Sequence, residues 1–468
     1  MGTVNRTTSR ELLVTLRREA GPLHAQLEAQ LRGAVRSGRL AAGERLPSSR
    51  ALAAQLGVSR GVVVEAYGQL AAEGYLTVMP GAAPRVAAAA VAAPDRVAAP
   101  AETALRYDLR PGTPDLALFP RAAWARAQRQ ALREAPDADF GYPQPAGHPR
   151  LRAALAAYLG RVRGVQTAPE RIVVCGGVAE ALALIARVLG AAGARRIGVE
   201  DPSHFETRGL LAHAGLEPVP IPVDDGGIDV DALAAAGPEA VLITPAHQFP
   251  TGVVLDPGRR ATLLDWARRT GALVIEDDYD AEYRYDRHPV GALQGLAPDH
   301  VAHVHSVSKT LAPGLRLGWA ALPARLVAAV ADEKRLSDLG TPVLEQLTLA
   351  AFLQRGELDR HLRRTRPIYR RRRDALTGAL NGLQIDGIAA GLHALVRLPP
   401  GCTEADVVAA AARAGIAVHA LGPHVAGGAR DPALLLGYTR LAEAGLEHSG
   451  RRLRRTLDDC HNRRASSA

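Results

Sequence analysis

The chain has 468 residues, enough for about two to four domains and a large buried core. Its 47% hydrophobic and 22% charged content excludes a wholly disordered or fibrous chain. The formal charge of +9 suits an anionic partner such as nucleic acid, or simply an arginine-rich surface, and three cysteines without CxxC spacing exclude a disulfide framework or a zinc module.

The first zone, residues 10–82, is punctuated like a set of short helices. Pro22 opens a helix with apolar positions Leu23, Leu27, Leu31 and Val35, and Gly38 closes it. Ser48 is placed to cap a second helix, Gly57 to turn the chain, and Ser59 to cap a third from Arg60 to Glu73. Two short helices about a glycine-containing turn form a helix-turn-helix. Residues 74–79 supply a strand of a wing, with Pro80 and Gly81 at its tip. A helix starting at Arg60 in a major groove would bring Arg45, Arg50 and Arg60 to phosphates or a guanine edge, with Ser48 and Ser59 adding phosphate contacts. The same pattern would also serve a small helical dimerisation module.

Residues 83–106 are rich in alanine and proline and read as a linker. From 107 to 460 apolar runs beginning near 171, 196, 240, 272 and 301 alternate with amphipathic stretches such as 180–189 and 256–269. That alternation predicts an α/β domain with a mostly parallel sheet, its ligands at the carboxyl ends of the strands. The tail from His461 is polar and expected to fray. No run is long and apolar enough to predict a membrane span, so the expectation is a cytoplasmic protein.

The chemistry concentrates in SVSKTLAPGLRLGW (306–319). A lysine after a buried strand, bracketed by hydroxyls and followed by an arginine, suits a Schiff base beside a phosphate. Lys309 is the amine, with Ser306, Ser308 and Arg316 on the phosphate. In VIEDDY (274–279), Asp277 at a strand end is placed to hold a pyridine nitrogen protonated, and Tyr279 to reach the ring hydroxyl. A magnesium site is the competing use of these acids, although no metal site is expected. Gly177 turns the chain into a helix whose Val178 and Ala179 amides would face a phosphate. In TPAHQFPTG (244–252), His247 or Gln248 is placed to bond the ring hydroxyl.

Residues 46–76, LPSSRALAAQLGVSRGVVVEAYGQLAAEGYL, resemble the winged-helix domain of GntR regulators. In that family the residues matching Arg50, Ser59 and Arg60 touch DNA. Gly61 and Val62 depart from its usual polar pair, and Gly81 to Pro84 depart from its wing tip. Residues 107–450 resemble fold-type I pyridoxal-phosphate (PLP) enzymes of the aspartate aminotransferase group. DLRPGTPDLALFP (108–120), YPQPAGHPRLRAALAAYL (142–159) and EDDYDAEYRY (276–285) look like the MocR subfamily, where the two parts are fused.

The resemblance implies a PLP-dependent, operator-binding transcription regulator and a head-to-tail homodimer. Its effector would be PLP or an adduct with an amino compound, and its target a vitamin B6 or amino-compound gene. The alternative is a working aminotransferase with an accessory DNA-binding domain. A residual transamination half-reaction is compatible with either. His204 and Phe205 stand near the position of the family's ring-stacking tyrosine, so either stacking passes to His204 or the ring sits differently. Leu435 stands where the family usually has its carboxylate-binding arginine, and Arg440, on the same strand face as Tyr438, is not expected to replace it.

Overall fold

The computed structural model describes residues 14–79, 82–88, 105–285, 290–427 and 430–465. They fall into two compact units that divide at Thr103.

The head contains α1 (Leu23–Arg36), α2 (Ser49–Leu56), α3 (Arg60–Ala72), β1 (Leu76–Thr77) and β2 (Arg85–Val86). Leu27, Leu31, Val35, Leu52, Val63 and Leu70 form its core. Ser48 Oγ accepts from the Ala51 amide at 3.2 Å, capping α2. At its other end Gly57 takes φ +64°, the left-handed turn between the two helices. Ser59 stands at the N-cap of α3, but its hydroxyl makes no capping bond. Replacing Ser48 with alanine is expected to cost about 1 kcal/mol, read as faster amide exchange in α2 of the full chain.

β1 and β2 pair antiparallel, Leu76 opposite Val86, so the wing runs into the stretch read as linker from residue 83. Pro80, Gly81 and linker residues 89–104 lie outside the described residues.

The body begins with β3 (Tyr107–Asp108), α4 (Arg121–Glu134) and α5 (Pro149–Arg163). Its main sheet alternates with helices: β4 (Ile172–Cys175), α6 (Val178–Ala191), β5 (Arg196–Asp201), α7 (Phe205–His213), β6 (Glu217–Asp224), β7 (Gly227–Ile228), α8 (Val230–Ala236), β8 (Ala240–Ile243), α9 (Pro257–Thr270), β9 (Leu273–Asp277), β10 (Val301–Ser306) and β11 (Gly318–Ala321). The order across eight strands is β4-β11-β10-β9-β8-β5-β6-β7. β10, β9, β8, β5 and β6 pair in parallel, whereas β11 is antiparallel to both neighbours.

Alternation along each strand feeds two cores. Ala240, Leu242, Leu273 and Ile275 pack on one face, Val241, Ile243 and Val274 on the other. Coverage of both faces by helices explains why these strands read as unbroken apolar runs. α10 (Ala324–Asp338), α11 (Val343–Gln354) and α12 (Glu357–Ala379) follow. The last part carries β12 (Ile385–Asp386), β13 (His393–Arg397), α13 (Glu404–Arg413), β14 (Ile416–Ala417), β15 (His419–Ala420), β16 (Ala433–Gly437) and α14 (Glu443–Ala465). Four of these strands form a sheet in the order β12-β13-β16-β15, and β14 pairs with β3. α14 continues past residue 460 into the segment expected to fray.

Candidate cofactor site and DNA-contact surface

Turns at the carboxyl ends of five strands converge on one cavity of about 450 Å³. Val178 and Ala179 follow β4, His204 follows β5, Thr244 follows β8, Asp277 ends β9 with Tyr279 just beyond it, and Ser306 ends β10 with Ser308 and Lys309 just beyond it. Arg316 enters from the turn before β11, and Pro111 and Gly112 close another wall.

Two of these elements form an anion cradle. The first amides of α6 have no acceptor within the helix, and they face the cavity together with Ser306, Ser308 and Arg316. Gly177 makes the approach possible: a Cβ there would sit 3.2 Å from Arg316 Nη2, in a backbone conformation of φ +136°. Arg316 itself takes φ +50°, which is costly for a residue with a side chain. Glu180, in the first turn of α6, is occupied by the Gly176 amide and by Lys334 Nζ at 2.6 Å.

The acid at the end of β9, Asp277, is partly buried and lines the cavity. One of its oxygens, Oδ1, is buried with no hydrogen bond among the described residues. Burial pushes the carboxyl up to about 7, with His305 and Lys309 opposing. A carboxylate with such an orphaned oxygen fits a protonated ring nitrogen. Lys309 Nζ donates to the Gly112 carbonyl at 2.5 Å. Burial lowers its pKa against the pull of Asp277 and Asp280, which favours the free amine. The chain holds only two lysines, and the other, Lys334, is buried between Glu180 and Asp338. That scarcity is a sequence signal that motif reading alone passes over.

His247 does not line the cavity. It lies behind Tyr279, whose hydroxyl is 3.0 Å from His247 Nδ1, and that nitrogen is 3.0 Å from Asp280 Oδ2. Gln248 is likewise buried, donating to Glu200 and to the Pro202 and Phe249 carbonyls. Glu200, which sequence reasoning passed over, anchors the β8 turn by accepting from the Thr244 amide and hydroxyl at 3.0 and 2.7 Å. His204 sits at the mouth, stacked on Phe205 with ring centroids 5.6 Å apart. Phe249, His393, His419 and His424 complete that wall.

Leu435 is fully buried among Leu395, Leu421 and Ala433, away from the cavity. β16 ends at Gly437, so Tyr438 and Arg440 lie beyond the strand that the sequence reading put them on. Arg440 binds Asp108 at 2.5 Å, and Tyr438 donates to the Ala390 and Gly391 carbonyls. Neither lines the cavity. In the arginine-rich α12, Arg364, Arg366, Arg371 and Arg372 are tied to Leu118, Glu282, Glu443 and Asp115.

In the head, Arg45, Ser48, Arg50, Ser59 and Arg60 are all exposed. Arg60 donates to Ser49 Oγ at 3.4 Å, while Arg45 and Arg50 have no side-chain hydrogen bond among the described residues. The exposed side of α3 continues through Gly61, Val64, Glu65 and Gly68.

Residues 107–423 match the family of aminotransferase class I and II, and residues 23–86 match the gntR family of bacterial regulatory proteins. The HTH-type pyridoxine biosynthesis transcriptional regulator PdxR of Corynebacterium glutamicum is 35% identical, over 90% of this chain and 92% of its own. The probable rhizopine catabolism regulatory protein MocR of Rhizobium meliloti is 34% identical, over 82% of this chain and 84% of its own. The chain belongs to the MocR subfamily of GntR transcription regulators. It is a DNA-binding regulator with an aminotransferase-like domain, and PLP binding is a trait of that family. Among solved structures it is similar to the α-aminoadipate aminotransferase LysN of Thermus thermophilus complexed with N-(5'-phosphopyridoxyl)-L-leucine. That likeness has a TM-score of 0.68 and 26% identity, over 75% of this chain and 92% of the other. No helix among the described residues is long and apolar enough to cross a membrane.

Proposed function

We propose that the protein is a cytoplasmic PLP sensor that acts on an operator as a head-to-tail homodimer. The observation that carries this reading is the Asp277 carboxylate, with its orphaned Oδ1, on the same cavity as Lys309 and the Arg316 cradle. PLP, when bound, supplies an aldehyde for an amine and a ring that withdraws electrons. Lys309 would hold the aldehyde carbon, Asp277 the ring nitrogen, and Tyr279 the ring hydroxyl. Gly177, Val178, Ala179, Ser306, Ser308 and Arg316 would hold the phosphate, and His204 would cover the ring. His247 would act through Tyr279, by orienting its hydroxyl. The head would meet the operator through Arg45, Ser48, Arg50, Ser59 and Arg60, and the chain between its wing strand β2 and residue 106 would tether it to the body, residues 107–460.

The target would be a vitamin B6 or amino-compound gene, as the name of the Corynebacterium glutamicum relative suggests by analogy. We read the body as a sensor rather than a catalyst, because of the two guanidiniums on the cavity wall Arg316 belongs to the phosphate cradle and Arg208 donates to the Ser203, Pro423 and His424 carbonyls, leaving none among the described residues for an amino-acid carboxylate. That favours PLP itself over an amino-acid adduct. Titrating PLP into cofactor-free protein, while following visible absorbance and affinity for the DNA upstream of its gene, tests the reading. Absorbance without a change in DNA affinity would reduce PLP to a fixture. Sustained keto-acid formation over many turnovers would favour an enzyme instead.

Arg50→Ala and Arg60→Ala are each expected to lower the salt dependence of operator binding by about one unit of slope. An unchanged slope in both would remove these residues from the phosphate contacts.

A further inference from the structure

Behind the cofactor cavity lies a buried charge network that the proposed function does not use. Arg163, at the end of α5, donates to Asp278 through Nε at 2.6 Å and Nη2 at 3.0 Å. His303 Nε2 lies 3.0 Å from the same carboxylate. Two residues along β10, His305 has both ring nitrogens engaged. Its Nδ1 meets the Asp278 main-chain carbonyl, and its Nε2 lies 3.1 Å from Glu282 Oε1.

A carbonyl oxygen and a carboxylate oxygen both accept hydrogen bonds, whereas a neutral imidazole has one N–H to give. Satisfying both acceptors requires the doubly protonated ring. Burial alone would discharge it, but Glu282 and Asp278 outweigh burial and raise His305 to about 9. Arg163 and His305 then balance Asp278 and Glu282, and of the neighbouring acids Glu276, Asp277 and Asp280 it is Asp277 that lines the cavity. Val304 pairs with Asp277 across the sheet, so His305 sits one residue further along the neighbouring strand, on the opposite face, and acts on Asp277 through the sheet rather than by contact. The charged groups acting on Asp277 are His305 and His303 from β10, Asp278 beside it, and Lys309 after β10, with His305 the strongest of them.

We propose that His305, held as an imidazolium between the Asp278 carbonyl and the Glu282 carboxylate, is a positioning residue that keeps Asp277 ionised and fit to hold a pyridinium nitrogen. This rests on the reading of the cavity as a PLP site, although the charge on His305 does not.

The experiment has two arms. In cofactor-free protein carrying ¹⁵N-histidine, the His305 ring, assigned by its absence in His305→Gln, is expected to show two protonated nitrogens at pH 7. A single protonated nitrogen overturns the proposal whether or not PLP binds. In the second arm, PLP affinity is measured by absorbance between pH 6 and 9. His305→Gln is expected to raise the Asp277 pKa by about one unit, weakening binding about tenfold at pH 6 and about twofold at pH 8. In an Asp277→Asn background the same change is expected to have no further effect, because its route runs through Asp277.

Glu282→Gln, a milder variant, lowers the His305 pKa and is expected to weaken binding at pH 8 but not at pH 6. Equal losses at every pH, or losses that persist with Asp277→Asn, would reduce His305 to a packing residue. A wild-type chain that takes up no PLP would sink the cofactor reading, with the nitrogen measurement still deciding the charge on His305.

Discussion

A chain carrying Lys309→Ala is expected to lose both the visible absorbance of lysine-bound PLP and the effect of PLP on operator affinity. Its operator affinity without PLP should match the wild type, because Lys309 lies in the body and the proposed DNA contacts lie in the head. The expectation follows from the shape and charge of the cavity. Lys309 is the one primary amine on its lining among the described residues, and burial shifts it toward the unprotonated, nucleophilic form. The second lysine is no substitute, since Lys334 is fully buried and bonded to Glu180 and Asp338 at 2.6 and 2.9 Å. Chemical reduction of the PLP-treated protein should therefore attach the cofactor at Lys309 alone, and a mass map of the peptides reads this directly.

Coupling between two sites is typically about 1–3 kcal/mol, a factor of roughly 5–150 in affinity. That factor should fall to one in Lys309→Ala even at PLP concentrations where the phosphate cradle is filled. A variant that still responds to PLP would show that the cradle alone carries the signal. A variant that loses operator binding without PLP would show a structural role for the Lys309 bond to Gly112.

Much of this site was legible because its residues follow strand ends. The runs near 171, 240, 272 and 301 are strands, and the polar residues after them face one cavity. Local chemistry sufficed there: a buried strand is apolar throughout, and its end is where polarity returns. Legibility failed where the chain returns from far away. His393, His419 and His424 line the mouth from the second sheet and its loops, and no spacing rule links them to Lys309. His247 carried the right residue type at a strand end, but the fold puts Tyr279 between it and the cavity. Arg440 failed for a different reason, since the strand ends three residues earlier and the side chain turns to Asp108. His303 and His305 were readable in principle, because residues two apart on a strand share a face. What could not be read was their partners, Asp278 and Glu282, which come from the loop after β9.

The second large effect concerns the same network. Replacing Arg163 with leucine is expected to destabilise the body by about 3–5 kcal/mol, the cost of leaving a buried charge without its partner. Arg163 and Asp278 are 3% and 1% exposed, so water cannot take over the lost bonds. The guanidinium also donates to the Val290 carbonyl at 2.5 Å, which would lose its donor. The sign of the pH dependence can be worked out. In the wild type Arg163 and His303 outweigh burial and hold Asp278 well below the ordinary carboxylate range, so its stabilisation is present above that range and lost in strong acid. Without Arg163, burial dominates and the carboxyl pKa rises above its unfolded value. The variant then loses stability as pH climbs from about 4 toward neutrality, where the wild type does not. Urea midpoints at pH 5 and pH 7.5 should therefore show the larger deficit at pH 7.5. An equal deficit at both would mean that Asp278 keeps its charge by another route. The double variant Arg163→Leu, Asp278→Leu should recover part of the loss, since an apolar pair leaves no charge stranded.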